Sequence, residues 1–131
     1  MTDRAGILTQ PILVVDDHRP MLRLVAAQLE GLGFRDIETE LDPAAALARL
    51  KRRRYGVILS DWNMTPISGL NLLRNVRAEA INATTPFILI TAEVAPENVL
   101  AAKAAGVSGY IAKPFDAAQL KAKLQAVLGA F

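Results

Sequence analysis

The chain contains no cysteine and a single histidine, His18, among its 131 residues. Disulfides, thiolate metal sites, a cysteine nucleophile and any multi-histidine metal site are therefore excluded. Aromatic residues are scarce, at 5%, and cations exceed anions by only two, with 15 Lys and Arg against 13 Asp and Glu. So small an excess provides no nucleic-acid coat by itself. No apolar run approaches the roughly 20 residues that a membrane span needs. The N-terminus, with Asp3 and Pro11, lacks the apolar stretch of a secretory signal. What is abundant is aliphatic. Hydrophobic residues make up 52% of the chain, and with its 22 alanines set aside enough large side chains remain for one core. The expectation is a small soluble cytoplasmic protein, a single domain over residues 1–131 with its core at about 11–129 and a short, ragged N-terminal extension.

Five short β-like runs alternate with longer helical patterns. The runs are Ile12–Val15, Asp36–Glu40, Gly56–Ser60, Phe87–Thr91 and Ser108–Ala112. The first, third and fourth are continuously apolar, as in strands covered on both faces, whereas the second alternates and reads as an edge strand. Met21, Val25, Leu29 and Leu32 recur at helical spacing before a stop at Gly33. Asp42-Pro43 reads as a cap followed by proline in the first turn, and Ser68 and Asp116 are further caps. A fourth helix opens at Pro96 and carries only Val99 and Leu100 above alanine size. This alternation predicts an α/β fold, a doubly wound, five-stranded parallel sheet with helices on both faces. In such a sheet every strand C-terminus lies on one edge, and ligands bind there.

That edge collects chemistry. Asp16 and Asp17 follow the first strand, Asp61 the third, Thr91 closes the fourth, and Lys113 follows the fifth. Taken singly, each has an ordinary use as a cap, a strand residue or a solvated charge. Together they form a set. Three clustered carboxylates repel one another and call for a hard cation, Mg²⁺ or Mn²⁺. A dication, an ammonium and a hydroxyl suit a phosphoryl group, with Lys113 and Thr91 contacting its oxygens. Asp61, alone at a central strand end, is then the nucleophile that becomes an aspartyl phosphate, and Asp16 and Asp17 hold the metal.

From about Ile12 to Leu128 the chain resembles the receiver domains of two-component response regulators, of the single-domain chemotaxis type. The most specific stretch is Ser60-Asp61-Trp62-Asn63-Met64, continuing to Gly69-Leu70-Asn71-Leu72-Leu73, together with the spacings to Thr91, Tyr110 and Lys113-Pro114-Phe115. The resemblance implies the flavodoxin/CheY-like strand order 2-1-3-4-5 and a phosphorylation-activated signalling switch, not a turnover enzyme. By resemblance, Asp61 takes its phosphoryl group from a sensor histidine kinase or a histidine phosphotransfer protein. The backbone carbonyl of Asn63 joins Asp16, Asp17 and Asp61 around Mg²⁺, and the Lys113–Pro114 bond is cis. Thr91 and Tyr110 form the switch, while Asn63 and Glu93 tune the lifetime of the phosphate. The downstream protein target binds the fourth helix, fifth strand and fifth helix, where Val99, Lys103, Tyr110, Gln119 and Lys123 are candidates. The domain assists its own phosphorylation and dephosphorylation, and its output is expected through protein contact. Neither nucleic acid nor membrane insertion is expected. Two departures stand beside the site: Met64-Thr65-Pro66 places proline one residue late, and Ser68 stands where the family often has Asp.

Other features carry less. His18 adjoins the acidic pair and faces either the site or water. Lys51-Arg52-Arg53-Arg54 has no interleaved aromatics and reads as a solvated helix C-terminus that complements the dipole. Trp62 is placed to report on Asp61. An aspartate-nucleophile phosphatase would need an acid where Asn63 stands. A flavin site would need a hydroxyl- and glycine-rich loop where Asp16-Asp17-His18 stands. An unphosphorylated interaction domain would not need the acid, hydroxyl and lysine set.

Overall fold

The computed structural model describes residues 4–92 and 95–131. Five parallel strands, β1 (Ile12–Val15), β2 (Ile37–Glu40), β3 (Val57–Asp61), β4 (Phe87–Thr91) and β5 (Gly109–Ala112), pair in the order β2-β1-β3-β4-β5. The polar second run is an edge strand, as its alternation predicts. Helices α2 (Arg19–Gly31), α3 (Pro43–Leu50), α4 (Gly69–Ala78), α5 (Pro96–Ala104) and α6 (Ala117–Leu128) follow the strands in turn. An additional short helix, α1 (Arg4–Thr9), precedes β1.

Strand residues alternate between two apolar layers, because successive side chains point to opposite faces. Ile12 and Val14 join Val25 and Leu29 of α2 and Leu120 and Leu124 of α6. Leu13 and Val15 join Ala46 and Leu50 of α3 and Leu72, Leu73 and Val76 of α4. Both layers are apolar, and β1, β3 and β4 are buried throughout. The first layer also takes in Ile7 of α1 and Phe131, whose ring meets Phe34 edge-on at 5.1 Å. Packing thus extends at both ends past the 11–129 core that the sequence suggests.

The caps behave as their chemistry dictates. The Asp42 carboxylate accepts from the N–H of Ala44, and the Ser68 hydroxyl accepts from that of Asn71. Asp116 and Gln119 form a reciprocal capping box at α6. All four residues of the basic run, Lys51 to Arg54, are exposed, as expected of a solvated helix end, and one of them also pairs with the sheet. Arg53 reaches back to Asp36 and Glu38, and Arg49 to Glu38 and Glu40, while the Tyr55 hydroxyl donates to Glu38 at 2.6 Å. The acids of β2 and the arginines around the α3 terminus neutralise each other across the sheet edge.

At the N-terminal end of the sheet the fully buried Asn82 uses its whole hydrogen-bonding capacity. Its amide donates to the carbonyls of Leu50 (2.6 Å) and Arg53 (2.8 Å). Its oxygen accepts from the Tyr55 N–H (3.0 Å) and the Thr85 hydroxyl (2.8 Å). Truncation orphans groups on three segments at once, so Asn82→Ala is expected to destabilise the protein by about 3 kcal/mol in urea unfolding. Equal midpoints for variant and parent would refute this role.

Candidate phosphoacceptor site

Parallel pairing brings the strand ends level. Val15 lies beside Ser60, Asp61 beside Ile90, and Thr91 beside Ala112. The ladder runs on past the strands: the N–H of Asp16 donates to the Glu40 carbonyl, that of Trp62 to Ile90 and that of Lys113 to Thr91. These bonds fix where the next side chains emerge. Asp16, Asp17 and Asp61 can bring one oxygen each within 4.8 Å of one another. Asp16 and Asp61 are buried, Asp17 is exposed, and Thr91 is fully buried on β4. The Lys113 stem crosses this edge and sets Nζ 2.7 Å from Asp61 Oδ1. The Lys113–Pro114 bond is cis, as is Thr65–Pro66.

Each acid has a different setting. Asp61 meets the ammonium. Asp16 Oδ1 accepts the backbone N–H of His18 at 2.9 Å, and Asp17 Oδ2 that of Thr65 at 3.4 Å. Burial is the main cause that raises the Asp16 carboxyl to about 6, with Asp61 and Asp17 adding repulsion; the His18 N–H and Lys113 pull the other way. Three oxygen donors of this kind, at this spacing and with a net negative charge, fit a hard dication.

Around the acids, the His18 side chain is exposed and caps nothing. Asn63 is exposed in the loop after β3. Glu93, expected to tune the phosphate lifetime, lies outside the described residues. Trp62 is half-buried and meets the half-buried Tyr110 ring edge-on, with centroids 6.4 Å apart. Of the expected partner-face residues, Lys103 and Gln119 are exposed and Val99, Tyr110 and Lys123 half-buried. Leu100, 65% exposed on α5, is the most exposed large apolar side chain among the described residues.

Gly69 has a role that motif reading alone does not reveal. Its N–H donates to the Trp62 carbonyl at 2.8 Å. A Cβ there would overlap the backbone oxygen of Asp61 and lie 2.9 Å from Trp62 Cα. The same Asp61 carbonyl accepts from the Ser60 hydroxyl at 2.9 Å. The start of α4 therefore rests on the backbone of the acidic strand end. The available signal was a glycine directly after a capping serine, where no unusual dihedral calls for it.

Two outcomes follow from this geometry. Gly69→Ala forces backbone against backbone and is expected to cost about 3 kcal/mol of stability, read as a lowered urea midpoint. For Asp16, the folded protein holds a proton that the unfolded chain releases near the ordinary value of 3.8. The contribution of this group is therefore greatest below pH 4, is lost as pH rises towards about 6, and is absent above that. Without divalent ions at neutral pH, Asp16→Asn is expected to be more stable than the parent by about 2–3 kcal/mol. The two proteins should converge at pH 4, as followed by thermal melting.

The family model for the response regulator receiver domain matches residues 12–125. The chain is 42% identical to the chemotaxis protein CheY-3 of Vibrio cholerae over 116 residues, covering 88% of this chain and 89% of the relative. Among solved structures, chemotaxis protein CheY4 of Vibrio cholerae superposes with a TM-score of 0.86 at 34% identity, covering 92% of this chain and 99% of that one. The receiver domain of a Pseudomonas aeruginosa sensor histidine kinase superposes at 0.83 with 31% identity, covering 93% and 99%, and carries a magnesium ion in its active-site cleft. With an acidic triad, a hydroxyl and a lysine at level strand ends and a family match over most of its length, the chain belongs to the receiver domains of response regulators.

Proposed function

We propose that Asp61 is the phosphoacceptor of this receiver domain and that residues 1–131 act together as one cytoplasmic signalling switch. The observation that carries this reading is the Lys113 ammonium 2.7 Å from Asp61 Oδ1, in the same pocket as two further carboxylates. An Asp61 oxygen attacks phosphorus in line, the O–P bond forms, and the N–P bond of a phosphohistidine breaks. The electron pair returns to the imidazole nitrogen of the donor. Lys113 holds the acceptor carboxylate in place beforehand and then follows charge onto a phosphoryl oxygen.

Asp16, Asp17, Asp61 and the Asn63 carbonyl would hold Mg²⁺, or Mn²⁺ in its place. A bound dication supplies charge neutralisation among the acids and at the phosphoryl oxygens. Reversal by water uses the same groups, with Asn63 and Glu93 controlling access, so the domain assists both its phosphorylation and its dephosphorylation. Thr91 and Tyr110 convert the new charge into a surface change on α5, β5 and α6. Val99, Lys103, Gln119 and Lys123, together with the exposed Leu100, are the candidate residues of that face. A protein target binds that face, and a histidine kinase or phosphotransfer protein supplies the phosphate.

The test is incubation with acetyl phosphate, monitoring intact mass and Trp62 emission. With Mg²⁺ the parent is expected to gain one phosphate and change its fluorescence, and with excess chelator it gains none. Asp61→Asn is expected to stay unmodified, with incorporation at least about 100-fold lower. A phosphate that persists in this variant would place the acceptor elsewhere.

A further inference from the structure

The start of α2 breaks the usual rules for a helix N-terminus. The partial positive charge of the first turn favours acids and side-chain caps. Here the first turn contains no acid, His18 caps nothing with its side chain, and Arg19 and Arg23 stand one turn apart on the helix surface. Both arginines are exposed, and neither makes an ion pair among the described residues. No ion pair among the described residues uses them, and Arg19 works against the helix dipole. Local conflicts of this kind mark places where function outweighs stability.

The two guanidinium groups line a cleft of about 330 Å³ between α2 and the end of β2, walled by Leu22, Thr39, Glu40 and Arg49. Its one carboxylate is already engaged: Glu40 accepts from Arg49 Nε at 3.1 Å and from the Asp42 N–H. The cleft therefore carries a surplus of cationic charge. It also adjoins the acceptor site, because the Glu40 carbonyl receives the N–H of Asp16. A strongly acidic pocket and a cationic cleft thus lie side by side on one rim.

We infer that this cleft receives acidic side chains from the protein that donates the phosphoryl group. Arg19 and Arg23 would grip carboxylates of the donor as its phosphohistidine approaches Asp61. The inference rests on the receiver reading above and adds the chemistry of the docking partner. Two cations four residues apart match carboxylates at the same spacing on a partner helix. The neighbouring Asp16, Asp17 and Asp61 repel an acidic surface that arrives out of register, so the pair of charges sets direction as well as affinity. A small phosphodonor has no such acidic surface and does not need the cleft.

The experiment compares the parent with the double variant Arg19→Gln/Arg23→Gln. Two donors are used: acetyl phosphate, and the autophosphorylated histidine kinase that transfers fastest to the parent in a purified panel. With acetyl phosphate the variant is expected to stay within about three-fold of the parent. With the kinase its kcat/KM is expected to fall by about ten-fold or more, mainly through KM. The parent's own transfer from the kinase should weaken as salt rises, and the variant's should not. The variant is also expected to melt no lower than the parent, whereas loss of a structural residue would lower the melting temperature. Equal transfer from the kinase to both proteins, or equal salt dependence, would overturn the inference while leaving Asp61 as acceptor. Failure of the parent to accept phosphate from either donor would instead remove the reading of Asp61 as phosphoacceptor beneath it.

Discussion

Mutual repulsion among carboxylates is the constraint around which the rest of this molecule is arranged. A parallel sheet necessarily sends its strand C-termini to one edge, and here three of the side chains that emerge there are acids. One ammonium, on Lys113, faces them directly through Asp61. The imbalance shows at Asp16, where burial and like charges make ionisation costly. Such a cluster persists only because the sheet beneath it is held by interactions unrelated to charge. β1, β3 and β4 are largely aliphatic and buried, with apolar layers above and below. The hydrophobic sandwich offsets electrostatic strain at its rim, and a cluster strained in this way is one that a hard dication would relieve.

The two ends of the sheet use polar groups in opposite ways. At the N-terminal end, donors and acceptors are matched within the protein. Asn82 satisfies four partners, and the Arg77 guanidinium donates to the carbonyls of Gly106, Ala83 and Thr85. Burial lowers the pKa of Arg77, yet its charge stays useful as a clamp on three loop carbonyls. At the C-terminal end the acids stand in excess over the Lys113 ammonium that meets them.

How much of this was readable in the residues depended on how local each cause was. Continuous apolar runs identified β1, β3 and β4, and the alternating polar run identified β2 as an edge, because burial of a strand is written in its own side chains. Caps at Asp42, Ser68 and Asp116 were equally local. The site was readable because chain direction in a parallel sheet converts "after the strand" into "on the same rim". Three features were not readable. Helix α1 has six residues and buries Ile7, too short a pattern for periodicity to register. The pairing of Arg53 with Asp36 and Glu38 joins residues 15 to 17 apart and exists only once α3 has turned back against β2. The contact of Gly69 with Asp61 depends on the angle at which α4 leaves the rim.

Among the helices, α5 is the one that a modest change in energy can move. Its sequence has almost no amphipathic face, only Ala102 is buried, and Leu100 stands in solvent. By contrast, α4 buries Leu72, Leu73 and Val76, and α6 buries Leu120 and Leu124. A charge-assisted hydrogen bond contributes about 1.5–3 kcal/mol, comparable to burying one aliphatic side chain at about 1.5–3 kcal/mol. That is too little to shift a helix anchored by three such residues, and enough to shift one anchored by an alanine. The half-buried Tyr110, held edge-on to the Trp62 that follows Asp61, sits on β5 next to α5 in the chain. A free-energy change of that size beside α5 is thus comparable to the apolar anchoring that holds this helix on the sheet.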